Sequence, residues 1–107
     1  MAIKTDTIVD KITIEGEAGD LRATAVQVIE KDGSARKIMA RKEVIVSGGA
    51  YCSPTILMRS GLGPKAELTS HNIECKVDLP GVGKNLMDHL VGLWLRLLLY
   101  QQLNFLS

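Results

Sequence analysis

The stretch "EVIVSGGAYCSPTILMRSGLGP", residues 43 to 64, limits this chain more than any other. Val44, Ile45 and Val46 form a short, continuously apolar run, which suits a strand covered on both faces. Ser47, Gly48 and Gly49 then give a turn with almost no side chain. Ser53 is placed to cap a helix and Pro54 to open it, where a missing N–H costs nothing. Gly61 suits the left-handed stop and Pro64 opens a second helical stretch, "PKAELTSHN". A buried strand, a glycine turn and a helix together imply a sheet with helices packed on it. Such a turn lets a backbone approach a nucleotide, and it equally serves ordinary packing.

The flanks support a mixed α/β domain. "TDTIVDKITIEG" is rich in β-branched residues and ends in Gly16, the profile of a strand. "ATAVQVIE" alternates, Asp32-Gly33 supplies a turn and "SARKIMAR" returns, so a hairpin or three-stranded antiparallel piece is expected over residues 7–40. "IECKVDL" reads as a strand and "PGVG" as a turn. The expected fold is therefore α/β: strand and antiparallel hairpin, then a buried strand at 43–47 and short helices within 53–71. From Leu90 to Tyr100 the chain is almost wholly apolar, broken by Gly92 and Arg96. That run is shorter than the ~20 residues of a membrane span, so a spanning helix is not expected. It reads as a core element or as an interfacial amphipathic segment.

Several function classes are disfavoured by composition. With 107 residues the chain holds one domain at most. Its 13 basic and 12 acidic residues give a net charge of +1, and only 4% of residues are aromatic. Nucleic-acid binding needs clustered basic charge or stacking platforms, and neither is present. Cys52 and Cys75 are too far apart for a CxxC pair, so no metal ligand set is expected and the thiols read as buried or half-buried. "GVGKN" fails as a phosphate loop, because Asp78 and Asn85 stand where Gly and Ser or Thr are required. It fails as a dinucleotide fingerprint too, with Leu86 in the third glycine place. No nucleophile elbow accompanies Asp88 and His89, so no catalytic residue is assigned.

Taken together, "KEVIVSGGAYCSPTILMRSGLGP" and "DLPGVGKNLMDHL" resemble the glucose–methanol–choline (GMC) family of FAD-dependent alcohol oxidoreductases. Both blocks stand in the family's order and separation, and the likeness covers residues 7 to about 91, leaving 92–107 as an apolar tail. The resemblance implies a single partial FAD-binding domain, with FAD as cofactor and a small alcohol as the full-length family's substrate. Ser47, Gly48 and Gly49 would lie near the adenosine portion of FAD, and Val9 would contact its adenine, with Ile8 the alternative if the register slips by one. The alternative reading is that these glycines serve only the turn before the helix. Asn85, Asp88 and His89 would brace the domain near the cofactor. The family's N-terminal dinucleotide fingerprint and its catalytic histidine have no counterpart here, and neither His71 nor His89 matches the latter. The expectation is an internal fragment or truncated product, inactive alone. The alternatives are a non-catalytic module that meets a partner chain, or aggregates, through exposed apolar surface such as Leu93–Leu99, and a membrane-peripheral peptide.

Overall fold

The computed structural model of the chain describes residues 2–17 and 19–88. His89 and the apolar tail, on which part of the sequence reading falls, lie outside the described residues. Three antiparallel strands come first: β1 (Thr7–Glu15), β2 (Arg22–Glu30) and β3 (Ala35–Met39), in the order β1-β2-β3. The piece expected over residues 7–40 is thus present. Ile12 and Ile14 of β1 and Ala25 and Val28 of β2 are buried on it. β3 is exposed along its whole length and carries Arg36 and Lys37, charges that suit an edge strand. The β2–β3 turn is held by Gly33 N–H donating to Glu30 C=O at 2.9 Å. Asp32 braces it, its carboxylate accepting from Ser34 N–H at 2.9 Å and from the Ser34 hydroxyl at 2.6 Å.

Two irregularities bend the first hairpin. Val9 faces Val28 and Lys11 faces Gln27, so Asp10 has no partner across the sheet. Thr24 is passed over in the same way, between the Thr13–Ala25 and Ile14–Ala23 pairs. A bulge of this kind shifts side chains from one face to the other and increases the local twist.

Helix α1 (Gly49–Arg59) and helix α2 (Lys65–Ser70) follow, with β4 (Leu62–Gly63) and β5 (Val77–Asp78) forming a short parallel pair. The "IECKVDL" strand is confined to those two residues of β5. Gly61, at φ +84°, ends α1 in the left-handed conformation, and its N–H donates to Met58 C=O at 2.9 Å. Pro64 caps α2, and the Asp78 carboxylate accepts the Lys65 N–H at 3.0 Å, tying that helix start to β5. Leu68 is the buried anchor of α2.

The α1–β5 unit docks on the free edge of β1. Ile12 N–H donates to Ser60 Oγ at 2.7 Å, and Lys76 Nζ donates to Ile14 C=O at 3.0 Å. Arg59 lies 3.6 Å from the Asp10 carboxylate. Groups that would otherwise form an open ladder are satisfied by side chains from the helical unit.

Two sequence expectations are corrected. Residues 43–47 form no strand, and Ile45 is 77% exposed. Among the described residues the segment makes no backbone hydrogen bond to any strand, so the apolar triplet is unpaired although it runs past β1. Helix α1 starts at Gly49, five residues before the expected opening at Pro54, with Gly48 as its N-cap. Pro54 therefore sits inside the helix. The Ser53 hydroxyl still serves the helix start, but from within the second turn, accepting the Gly48 N–H at 2.9 Å.

Candidate cofactor-binding site

Residues 44–48 run past β1 and the first turns of α1 and leave a hollow of about 290 Å³ between them. Val9, Ile12 and Val26 from the sheet form one wall, Val44, Ile45 and Val46 another, and Ile56 of α1 closes the floor. Ser47 and Gly48 complete the rim. Three of the residues singled out from the sequence, Val9, Ser47 and Gly48, are thus brought to one cavity from segments nearly forty positions apart. Gly49 is the next residue along the rim and does not line the hollow. A second, adjoining hollow of about 470 Å³ shares Val9, Gly48 and Ile56 and adds Ile8, Tyr51, Cys52, Thr55 and Arg59. Ile8 and Val9, the two alternatives for the adenine contact, both border it.

The glycine turn has a specific geometry. Gly48 adopts φ −82° and ψ 4°, and Gly49 adopts φ +85°, which a residue with a side chain takes only at a cost. A Cβ on Gly48 would stand 3.1 Å from the Cys52 Cβ, so this backbone lies close against the helix it opens. At Gly49 the space is open. A close approach is required at the first position and a left-handed backbone at the second.

The lining is chiefly branched aliphatic, with polar groups at the rim. Thr55 is committed, its hydroxyl donating to Tyr51 C=O at 2.7 Å. Arg59 brings the positive charge of the second hollow and is shared with Asp10. Cys52, expected to be buried or half-buried, is exposed and borders the second hollow, whereas Cys75 is half-buried. Neither hollow includes Asn85 or Asp88. An apolar slot with hydroxyl and peptide groups at its rim suits a flat heteroaromatic ring carrying a polar substituent, and the hollow's size is at the low end of the ~300–1,000 Å³ of small-molecule clefts.

Sequence reasoning missed Ile12, Val26 and Ile56 as lining residues. Their apolar character was legible, but a strand pattern does not say which buried side chain faces a gap. It also gave Ser60 no role beyond its place in α1, although that hydroxyl fixes the strand carrying Val9.

Comparison with known proteins identifies the family. The family model described as GMC oxidoreductase matches residues 1–91. Oxygen-dependent choline dehydrogenase from Pseudomonas fluorescens is 48% identical over 91 residues, which is 84% of this chain and 15% of that protein. Glucose dehydrogenase [FAD, quinone] from Drosophila pseudoobscura pseudoobscura is 48% identical over 87 residues, 81% of this chain and 14% of its own length. Among solved structures, an FAD-dependent oxidoreductase from Chaetomium thermophilum superposes with a TM-score of 0.70 at 35% identity, over 78% of this chain and 14% of that one. A formate oxidase variant from Aspergillus oryzae gives 0.71 at 38% identity, again over 78% and 14%. The chain therefore spans about one-seventh of the length of these relatives. With the family model covering more than four-fifths of it, the chain belongs to the GMC oxidoreductase family.

Proposed function

We propose that this chain carries the adenosine side of an FAD site, as part of an oxidoreductase that acts on the CH–OH group of an alcohol. The observation that carries the reading is the convergence of Val9, Ser47 and Gly48 on one apolar hollow. The residues present fit an adenosine group. Branched side chains from Val9, Ile12 and Ile56 offer surface to a ring, and Ser47 and the Gly48 backbone offer polar groups to a ribose. When bound, FAD supplies the flavin ring that accepts a hydride from the alcohol. The residues of this chain would hold and orient the cofactor's far end and keep water from the adenine. No described residue of this chain is assigned to move the alcohol's proton.

Titration of the chain with FAD, followed by flavin fluorescence, tests the reading. ADP should compete with FAD and riboflavin should not, because only the adenosine side has a site here. Competition by riboflavin, or no binding at all in a chain that circular dichroism shows to be folded, would overturn it. A second reading, a non-catalytic module docking through apolar surface, is favoured by the exposure of Ile8, Ile45 and Tyr51 beside the hollow. A stoichiometric co-purifying protein displaced by Ile45→Asp would support that reading instead.

A further inference from the structure

Helix α1 and its C-cap residue Ser60 hold the glycine turn and β1, on two sides of the hollow, through hydroxyl groups. The Ser53 Oγ accepts the Gly48 N–H at 2.9 Å, fixing the glycine turn. The Ser60 Oγ accepts the Ile12 N–H at 2.7 Å, fixing β1 three residues beyond Val9. Ser60's own proton goes to Ile56 C=O at 2.6 Å, which leaves an oxygen lone pair directed to the strand. The serines are seven residues apart, so they stand two turns apart, about 10.5 Å along the axis, on nearly the same face. The Ile12 N–H is buried, and with β2 on the other side of β1 it has no ladder partner. Between residues 43–47 and β1 there is no backbone hydrogen bond at all among the described residues. The gap between Val9 and the glycine turn is therefore set through the helix, by these two hydroxyls together with the Arg59–Asp10 pair and the Lys76–Ile14 bond.

We infer that Ser53 and Ser60 are positioning residues for the cofactor, spacing the glycine turn from the strand that carries Val9. This inference rests on the adenosine-site reading above. A merely structural role for these serines predicts that losing a hydroxyl lowers stability and leaves the hollow's geometry alone. The positioning role predicts a local loosening at the group each serine holds, coupled to weaker binding.

The full chain, with hydrogen exchange read at individual amides by NMR and FAD affinity read by flavin fluorescence, separates the two. Ser53→Ala should speed exchange at Gly48 about tenfold, leave Ile12 unchanged and weaken FAD about five- to tenfold. Ser53→Thr, which keeps the hydroxyl, should restore both. Ser60→Ala should show the converse at Ile12; if it unfolds, the half-buried Ser53 carries the test alone. Unchanged Gly48 exchange in Ser53→Ala overturns the inference, whatever FAD does. Faster exchange with unchanged FAD affinity overturns it too and leaves the adenosine reading standing. If the unsubstituted chain takes no FAD, the adenosine reading falls and the inference falls with it.

Discussion

Gly49 and Gly61 have almost the same backbone, φ +85° and φ +84°, in opposite surroundings, which makes them a controlled pair. A Cβ on Gly49 meets nothing within 4 Å. A Cβ on Gly61 would stand 2.5 Å from the Glu74 carbonyl oxygen and 3.1 Å from Lys76 Cγ. Alanine in the left-handed region costs about 1–2 kcal/mol, of which roughly 0.4–1 is returned because alanine lowers the entropy of the unfolded chain. Gly49→Ala should therefore cost about 1 kcal/mol. Gly61→Ala pays the same and must also push Glu74 away. The Lys76 N–H bond to Gly61 C=O, at 2.8 Å, and the adjoining β4–β5 pairing depend on that approach. Overpacking of this kind costs about 1–3 kcal/mol, and each weakened hydrogen bond adds about 1. The excess at Gly61 should be about 2–3 kcal/mol. Urea unfolding of the two variants, followed by far-UV circular dichroism, measures it. Equal losses, within about 0.5 kcal/mol, would refute the close approach of the two segments.

Other consequences are simpler to state. Leu68 is 1% exposed and anchors α2, so Leu68→Ala should cost about 2–5 kcal/mol in the same urea assay. Asp10→Asn should cost less than about 1 kcal/mol, because the Asp10–Arg59 pair is partly solvated, and 1 M salt should erase the difference. Glu30 is held below its ordinary value of 4.5 by the Lys4 ammonium, aided by Arg36, and Asp32 is held below 3.8 by the Ser34 hydroxyl and N–H. Both carboxyls are lowered on folding, so their stabilisation is complete above the ordinary values and is lost as pH falls through the folded ones. Exchange at the Gly33 and Ser34 amides should accordingly quicken as the pH is taken from 6 to 3, beyond the intrinsic pH dependence, and Asp32→Asn should remove part of that change.

What the sequence made legible was mostly local. Asp32-Gly33 marks the β2–β3 turn because its chemistry is confined to four residues, and Gly61 marks the end of α1 for the same reason. The bulge at Asp10 was not legible, since nothing in "TIVDKITI" distinguishes a passed-over residue from a paired one. The start of α1 was misplaced because Ser53-Pro54 is a strong opening signal. The structure uses Gly48 as the cap instead, with Ser53 folded back onto its N–H. For the site, the family motifs pointed to Val9 and the glycine turn, segments that only the docking of α1 on β1 brings to one hollow. That docking depends on Ser60, Lys76 and Arg59, whose partners are backbone or charged groups dozens of residues away.

The segment 43–47 shows why the walls of the hollow are unequal in strength. Two of its walls are fixed by hydrogen bonds, β1 through β2 and Ser60, and α1 through its own ladder. The third, Val44–Val46, is joined to the other described segments by no backbone hydrogen bond. Holding a residue's backbone in one conformation costs about 1–2 kcal/mol, so ordering five residues costs about 5–10. Micromolar binding is worth about 8 kcal/mol in total. If ordering this wall fell to the ligand, nearly all of that would be consumed and FAD would bind no tighter than millimolar. A dissociation constant near micromolar would instead mean that side-chain packing of Val44 and Val46 against the sheet holds the segment before the cofactor arrives. Hydrogen exchange at the amides of residues 44–46 distinguishes these cases: exchange slow in the free chain and unchanged by FAD means a preformed wall, and exchange that slows only when FAD is added means a wall ordered by the ligand.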